Sequence, residues 1–165
     1  MRTRWVGLAL SALLALGASD GESRAAPELA GGVWLNSAPR TLAELRGKVV
    51  LVEFWTFACW NCQHVEPHVR AWHERYGPAG LVVIGVHSPE LERERDLANV
   101  KSYVKEHGIT WPVLVDDDFR TWHAYGNRYW PAFYLIDKQG RIRHQRFGEG
   151  GYADTEARIE GLLAE

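Results

Sequence analysis

The sequence predicts an α/β fold in which a mixed central sheet carries helices on both faces and a short β extension at its N-terminal end. Two runs of β-branched and aromatic residues, 49–57 and 80–88, are typical of strands buried on both faces. A helical pattern follows each run, and two further strand-like segments, 131–137 and 141–147, are separated by a tight turn. The predicted order is β-α-β-α-β-α-β-β-α. Strands that alternate with helices favour parallel neighbours, and the final hairpin adds an antiparallel edge.

The two longest helices follow the two buried strands. The first is expected to begin near Cys59 and to contain Pro67, which should kink it. The second is expected at 92–107 and should end at Gly108, a residue type that favours helix termination. The charged run ELERERD, residues 90–96, is predicted to be the solvated start of this second helix.

Shorter elements complete the pattern. A short strand is expected at 33–37, and a third strand followed by a turn at 111–118. Residues 119–126 predict a short helix. Asp154 is placed to cap a last helix, because aspartate favours the position just before the first helical turn.

Length and composition indicate one soluble domain. The chain has 165 residues, of which 46% are hydrophobic and 24% charged, as in ordinary globular proteins. Its formal net charge of −2 gives no basic field for nucleic acid or an acidic membrane surface. We expect a flexible lead over 26–32, rich in small residues, and a folded domain over 33–165.

The first 25 residues resemble a targeting segment. Two arginines precede the apolar run 5–16, which is too short for a confident membrane span, and small residues follow it. We therefore predict a signal peptide over 1–25, with cleavage near Ser19 or Ala25, and an exported, periplasmic-type protein. An uncleaved signal that tethers the chain to the membrane is the alternative.

Cys59 and Cys62 are the only cysteines of the chain. A bridge between residues so close in sequence closes almost no loop, so a purely structural disulfide would stabilise little. A C-x-x-C motif near a βαβ pattern is typical of thioredoxin-like redox sites. Cys59 is expected at a helix start, where free N–H groups favour the reactive thiolate and lower its pKa from about 8.5 to roughly 3.5–7.5.

Several segments together resemble a known family. They are VVLVEFWTFACWNC, the proline five positions after the second cysteine, YWPAFYLID and FGEG. This combination resembles the TlpA/ResA-like branch of the thioredoxin superfamily, and above all the thioredoxin-like domain of DipZ-type thiol:disulfide interchange proteins. The resemblance covers residues 33–165. It implies a thioredoxin-like fold and an oxidoreductase, more a reductase than an oxidant, that acts on protein thiols and disulfides with no cofactor beyond its own disulfide.

The resemblance also implies roles for the catalytic residues. Cys59 corresponds to the attacking nucleophile and Cys62 to the resolving thiol. Glu53 falls where thioredoxins place a buried carboxylate beneath the second cysteine, where it would accept a proton from Cys62. Burial should raise the pKa of Glu53. The alternative is that Glu53 faces solvent at a strand edge.

Four more residues are implied in substrate binding. Pro131 matches the cis-proline of the family, which lies against the two sulfurs. Trp130 would then offer backbone groups to an extended substrate segment. Trp60 and Asn61, between the cysteines, match neither the reducing nor the strongly oxidising family members, so they leave the redox potential open over roughly −270 to −120 mV.

Two departures from the family stand out. Several ResA-like reductases carry a glutamate three residues after the second cysteine, where this chain has Val65 and places Glu66 next to it. A shift of one residue turns a helical side chain by about 100°, so Glu66 need not serve the same role. DipZ-type proteins also contain a membrane domain that relays electrons to the thioredoxin-like domain. Since the resemblance covers only the thioredoxin-like domain, it implies that a separate membrane protein relays electrons to this one.

Two other function classes fit parts of the motif. A metal-binding module would use the two thiolates with His64 or His68, although the helical spacing suits neither histidine. A thiol peroxidase on the same fold would need a threonine near its cysteine, and Thr56 precedes Cys59 by three residues. We predict no metal site. His87, at the end of the second buried strand, is expected near the active site.

Overall fold

A computed structural model describes residues 24–165 as one six-stranded sheet with four helices and one 3-10 turn. Residues 1–23, which hold most of the predicted signal peptide, lie outside the described residues. No helix within 24–165 has the length and apolar character needed to cross a membrane. The strands are β1 (Val33–Leu35), β2 (Val49–Trp55), β3 (Leu81–His87), β4 (Val113–Val115), β5 (Ala132–Ile136) and β6 (Ile142–Phe147). The helices are α1 (Trp60–Tyr76), α2 (Leu97–Glu106), α3 (Arg120–Tyr125) and α4 (Tyr152–Ala164), with the 3-10 turn at Glu92–Glu94.

The sheet has the order β1-β4-β3-β2-β5-β6 and places β2 near its centre. Strands β2, β3 and β4 are parallel, as the alternation of strands and helices predicts. The expectation is wrong for β5, which follows a helix yet runs antiparallel to β2. Its partner β6 continues the antiparallel half as a hairpin. Helix α3 returns the chain to the side of β2 opposite β3, and β5 enters there in the reverse direction.

Alternate residues of β2 face two separate core layers, because successive strand residues point to opposite faces. Val49, Leu51 and Trp55 pack with α1, α2 and α4 on one face. Val50, Val52 and Phe54 pack with α3 and with the turn around 42–45 on the other. The prediction of helices on both faces of a mixed sheet with an N-terminal β extension is confirmed.

The charged run before α2 differs most from its prediction. The α-helix begins only at Leu97, where the Asp96 side chain accepts a hydrogen bond from the Ala98 N–H. Ahead of it, residues 92–94 form a 3-10 turn, and Glu94 is fully buried. The expectation of a solvated start is therefore wrong for Glu94, because its carboxylate binds backbone N–H groups inside the protein.

Two further boundaries need correction. Strand β2 ends at Trp55 instead of residue 57, because residues 56–58 leave the sheet. Helix α4 begins at Tyr152 after Gly151, so Asp154 lies inside the first turn and does not cap the helix. The Asp154 carboxylate accepts a hydrogen bond from Arg158 one turn later instead. Helix α1 continues through Pro67 to Tyr76. Helix α2 is followed by Gly108, whose positive φ is typical of helix ends.

Residues ahead of β1 form hydrogen bonds with the domain, and the flexible lead over 26–32 stays a prediction. Ala25 forms a bridge with Arg141, and Ala26 N–H donates to the Gly140 carbonyl. The Glu28 carboxylate accepts from the N–H groups of Leu42 and Ala43. These contacts use backbone groups and one side chain, which composition does not reveal.

Gly85 in β3 leaves space for two indoles, and this makes its replacement a test of the packing. A Cβ atom there would lie 2.7 Å from Trp55 Nε1 and 3.2 Å from Trp111 Nε1. We expect Gly85→Ala to lower the free energy of unfolding by about 1–3 kcal/mol through overpacking. The matched control is Gly161→Ala inside α4, where a Cβ meets nothing within 4 Å; it should raise stability by roughly 0.5–1 kcal/mol. Urea unfolding of the oxidised proteins measures both, and equal effects would contradict the packing.

Candidate active site

The two cysteines lie where the central strand β2 passes into helix α1. Cys59 is the N-cap residue of α1, and its sulfur accepts a hydrogen bond from the Cys62 N–H at 3.2 Å. The two sulfurs form a disulfide bond, with the Cα atoms 5.2 Å apart. Cys59 is half-buried, whereas Cys62 is only 4% exposed. An incoming substrate therefore reaches Cys59 and not Cys62.

The start of α1 provides a favourable environment for a thiolate. Its free N–H groups and the positive end of the helix dipole point toward Cys59, and the first turn holds no acidic side chain. These features favour the ionised form of the sulfur once the disulfide opens. The lowered pKa of Cys59 thus stays a prediction with a clear structural basis.

Glu53 lies in the middle of β2 and is 3% exposed. It pairs with Gly85 of β3 and Phe133 of β5, so it cannot face solvent at a strand edge. By strand alternation its side chain enters the same core layer as Leu51, Trp55 and Cys62. Burial, with a smaller contribution from the charge of Glu66, raises the pKa of Glu53 to about 8.

Glu66 of α1 contacts α2 and lies one residue after the sequence position at which several ResA-like reductases carry a glutamate. Its carboxylate accepts hydrogen bonds from Arg70 at 3.0 Å and from the Tyr103 hydroxyl at 3.2 Å, and His107 Nδ1 lies 3.2 Å away. The corresponding family position, Val65, is fully buried in the core. The charge of Glu66 makes the smaller contribution to the raised pKa of Glu53.

Two of the residues that the resemblance implies in substrate binding, Asn61 and Trp130, line one pocket. The Trp130–Pro131 peptide bond is cis, as the resemblance implies. The Trp130 indole N–H donates to the Ser88 carbonyl at 3.0 Å, and its ring packs on Trp122. A shallow pocket of about 370 Å³ brings together one residue from between the cysteines and four from around the cis-proline: Asn61, Tyr129, Trp130, Phe147 and Gly148.

Exposed aromatic side chains surround this pocket. Trp60 is 69% exposed, and Tyr129 and Phe147 are also exposed and contact each other. Large exposed aromatic groups beside a reactive pair indicate a surface that contacts a protein partner. Tyr129 and Phe147 were not predicted from the sequence. Tyr129 directly precedes Trp130, which is the one signal that could have found it.

The histidines of the metal alternative have other partners. His64 packs edge-on against Trp60 and pairs with Glu149 at 3.2 Å. His68 stacks on Tyr152 with ring centroids 3.6 Å apart. Within residues 24–165, no group of three or more His, Cys, Asp or Glu side chains is arranged to hold a metal ion.

His87 lies beneath the active-site loop, as expected from its position at the end of β3. It is fully buried, and its Nε2 lies 3.3 Å from the Thr56 hydroxyl. The ring stacks on Phe57, two residues before Cys59. Burial lowers the pKa of His87 to about 4, so the imidazole is neutral near pH 7.

Sequence reasoning also missed Glu94. Its Oε1 accepts a hydrogen bond from the Ala58 N–H at 2.7 Å, directly before Cys59. Its Oε2 accepts from the N–H groups of Glu90 and Leu91 at 2.8 and 2.7 Å. No periodicity marks this residue in a run of alternating charges, so only the tertiary structure reveals it.

The raised pKa of Glu53 predicts a measurable pH dependence of stability. Between about pH 4.5 and 8 the native carboxyl keeps a proton that the unfolded chain releases, so stability falls as pH rises through this window. The slope for this group is at most about 1.4 kcal/mol per pH unit. In Glu53→Gln this contribution disappears. Urea unfolding of the oxidised forms at several pH values measures the difference, and a constant difference between the two proteins would contradict the raised pKa.

Comparisons with known proteins agree with this geometry. Residues 24–145 match the sequence model of the AhpC/TSA family. The chain is 48% identical over 142 residues to protein DipZ of Mycobacterium bovis, covering 84% of this chain but only 20% of DipZ. It is 36% identical to the thiol-disulfide oxidoreductase YkuV of Bacillus subtilis, covering 84% of this chain and 94% of YkuV.

Among solved structures, a thioredoxin-like superfamily protein superposes with a TM-score of 0.80 at 34% identity, over 87% of this chain and 98% of the other. The thioredoxin-like fold and the resemblance to DipZ-type proteins are thereby confirmed. Because DipZ is much longer than the matched segment, the shared part is one domain of it. The chain therefore belongs to the AhpC/TSA family and, within it, to the thioredoxin-like thiol-disulfide oxidoreductases.

Proposed function

We propose that this protein is an exported reductase that exchanges disulfides with protein substrates through Cys59 and Cys62. One observation carries the proposal: the pair closes a disulfide at the N-terminus of α1, with Cys59 accessible and Cys62 buried. This asymmetry separates an attacking sulfur from a resolving one. The pair would be its only redox group, so the reaction needs no added cofactor.

The reaction begins from the dithiol. The Cys59 thiolate attacks one sulfur of a substrate disulfide, the substrate S–S bond breaks, and the other substrate sulfur leaves as a thiolate that takes up a proton. Cys62 then loses its proton and attacks the Cys59 sulfur of the mixed disulfide. The second substrate thiol leaves, and the Cys59–Cys62 disulfide forms. Two electrons and two protons pass from the pair to the substrate.

Glu53 is proposed to accept the proton that Cys62 loses. It enters the same core layer as Cys62, and its pKa of about 8 lies close to that of a cysteine thiol. A base works best when its pKa is near the operating pH, so this carboxylate suits proton transfer in a site without bulk water. The transfer would use an intervening water molecule.

The pocket beside Pro131 is proposed to hold the substrate segment. Trp130 and Asn61 both line the pocket, and Trp60, which lies between the cysteines, is exposed. An extended chain in this pocket would use the Trp130 backbone for strand-like hydrogen bonds. Exposed Tyr129 and Phe147 favour apolar side chains in the substrate.

The proposals that the protein is exported and that it acts as a reductase are based on the sequence. The segment 1–25 has the charge and length of a signal peptide, and the resemblance to DipZ-type proteins favours a reductase supplied by a separate membrane relay. Of the two cleavage positions, the one near Ser19 would keep Arg24 and Ala25, which bond to Tyr125 and Arg141 in the folded domain. A signal that stays uncleaved would tether the protein to the membrane.

The peroxidase and metal alternatives have less support. A peroxidatic cysteine needs a free threonine hydroxyl nearby, but the Thr56 hydroxyl is buried and lies 3.3 Å from His87 Nε2. The metal alternative needs His64 or His68 as a ligand beside the thiolates, but His64 packs on Trp60 and pairs with Glu149, and His68 stacks on Tyr152. Stoichiometric copper or zinc that stays bound through dialysis would reverse this ranking.

A trapping experiment tests the roles of the two sulfurs. Cys62→Ser should accumulate mixed disulfides with protein substrates, because Cys59 can attack but nothing resolves the intermediate. Cys59→Ser is the control and should trap few, because the remaining thiol is buried. Non-reducing gels with mass spectrometry of the adducts measure both. Absence of adducts with Cys62→Ser, together with alkylation of Cys59 only above about pH 8, would show that the nucleophile is misassigned.

The reduction potential tests the direction of electron flow. We expect equilibration with glutathione buffers, followed by tryptophan fluorescence, to give a value below about −220 mV, as for reductases. Trp55, next to the active-site loop, and Trp60, between the cysteines, place fluorophores close to the pair. A value near −120 mV would instead identify an oxidant.

A further inference from the structure

The loop that carries Cys59 is tied to the 3-10 turn by the buried carboxylate of Glu94. This side chain has no solvent exposure, yet it comes from a run of charged residues. One carboxylate oxygen binds the Ala58 N–H at 2.7 Å. The other binds the N–H groups of Glu90 and Leu91 at 2.8 and 2.7 Å. A single buried group thus joins the segment before the nucleophile to the segment after β3.

Thr56 extends this network beneath the active site. Its hydroxyl oxygen lies 3.3 Å from Nε2 of His87, and the Thr56 side chain also contributes to the lowered pKa of Glu94. Thr56 is thereby paired with a second buried side chain beneath the active-site loop. Thr56 and His87 are both fully buried.

Every residue between β2 and the helix is held by this network. Thr56 is fixed by its hydroxyl, Phe57 stacks on His87, and Ala58 is bound to Glu94. The Cys59 N–H in turn donates to the Thr56 carbonyl at 3.3 Å. The segment before Cys59 is therefore held by the Glu94 carboxylate at Ala58 and by His87 at Thr56 and Phe57.

The carboxylate is an anion in the folded protein. Burial alone would raise the pKa of Glu94, but hydrogen bonds from the Thr56 hydroxyl and from the N–H groups of Leu91, Ala58 and Glu90 together lower it. Its negative charge lies 2.7 Å from the amide nitrogen of the residue before Cys59.

We propose that Glu94 is a positioning residue for the redox pair, which holds residues 56–59 in the arrangement of the disulfide and thereby stabilises the disulfide over the dithiol. The inference rests on the proposed role of Cys59 and Cys62 as the redox pair. It assigns to Glu94 no contact with substrate or with the reacting sulfurs. Its effect passes through Ala58 and Thr56.

Two physical effects give the same direction. A loop held in the geometry of the disulfide keeps the two thiols close, and by linkage the closed disulfide in turn favours the hydrogen bonds of the loop. Removing the carboxylate lowers this effective concentration. It also removes a negative charge near Cys59, and the loss of this charge favours the thiolate of the reduced form. Both changes make the disulfide easier to reduce.

The test uses the equilibrium of the full chain with glutathione, in which the protein disulfide and two glutathione thiols give the protein dithiol and one glutathione disulfide. In Glu94→Gln the amide oxygen can still accept the hydrogen bond from the Ala58 N–H. The amide NH₂ group replaces the oxygen that accepts from the N–H groups of Glu90 and Leu91. We expect this variant to shift the equilibrium constant toward the dithiol by roughly threefold or more. The matched control is Glu92→Gln in the same turn, whose side chain is 93% exposed, and it should leave the constant unchanged.

A second pair of variants keeps the test valid if Glu94→Gln does not fold. Thr56→Val removes the hydroxyl that pairs with His87 and helps to lower the pKa of Glu94, whereas Thr56→Ser keeps it. We expect the valine variant to shift the constant toward the dithiol and the serine variant to stay close to the natural chain. Equal constants for the natural chain, Glu94→Gln and Thr56→Val, or an equal shift in Glu92→Gln, would overturn the inference. If the natural chain itself does not equilibrate with glutathione, the proposed redox function fails instead.

Discussion

The active site depends on one contact, the hydrogen bond that the Cys62 N–H of α1 donates to the Cys59 sulfur. It exists because β2 ends one short loop before the helix, so that Cys59 becomes the N-cap residue. The central position of β2 makes this point rigid, since the strand is paired on both sides and buried throughout. The accessibility of Cys59, the burial of Cys62 and the contribution of Asn61 to the neighbouring pocket all follow from where α1 begins.

Two buried glutamates flank this junction and behave in opposite ways. Burial raises the pKa of Glu53 to about 8, which makes it able to exchange a proton near neutral pH. Glu94 is buried as completely, but four donors lower its pKa and keep it charged. The same side chain therefore suits proton transfer in one place and a fixed structural anion in the other. The number of N–H and O–H donors decides between these roles.

Much of the site was predictable because its signals are local. The run 49–57 identified the central strand, the C-x-x-C spacing identified the pair, and the family resemblance indicated Glu53, whose apolar neighbours favoured its burial. Glu94 was not predictable, because its partners come from residues 36 positions earlier in the chain and from its own turn. The reverse direction of β5 was missed for a similar reason. Helical spacing does not record which way a chain re-enters a sheet.

The sequence by itself determined the fold class, the identity of the reactive pair and the catalytic class, because periodicity, the C-x-x-C spacing and the family resemblance are all written along the chain. Only the tertiary structure decided which charged residues are buried, which aromatic residues surround the pocket and how the loop before Cys59 is held. These properties depend on contacts between segments that are distant in sequence. Desolvation and hydrogen bonding at such contacts set the charge of each group, and neither exists until the chain has folded.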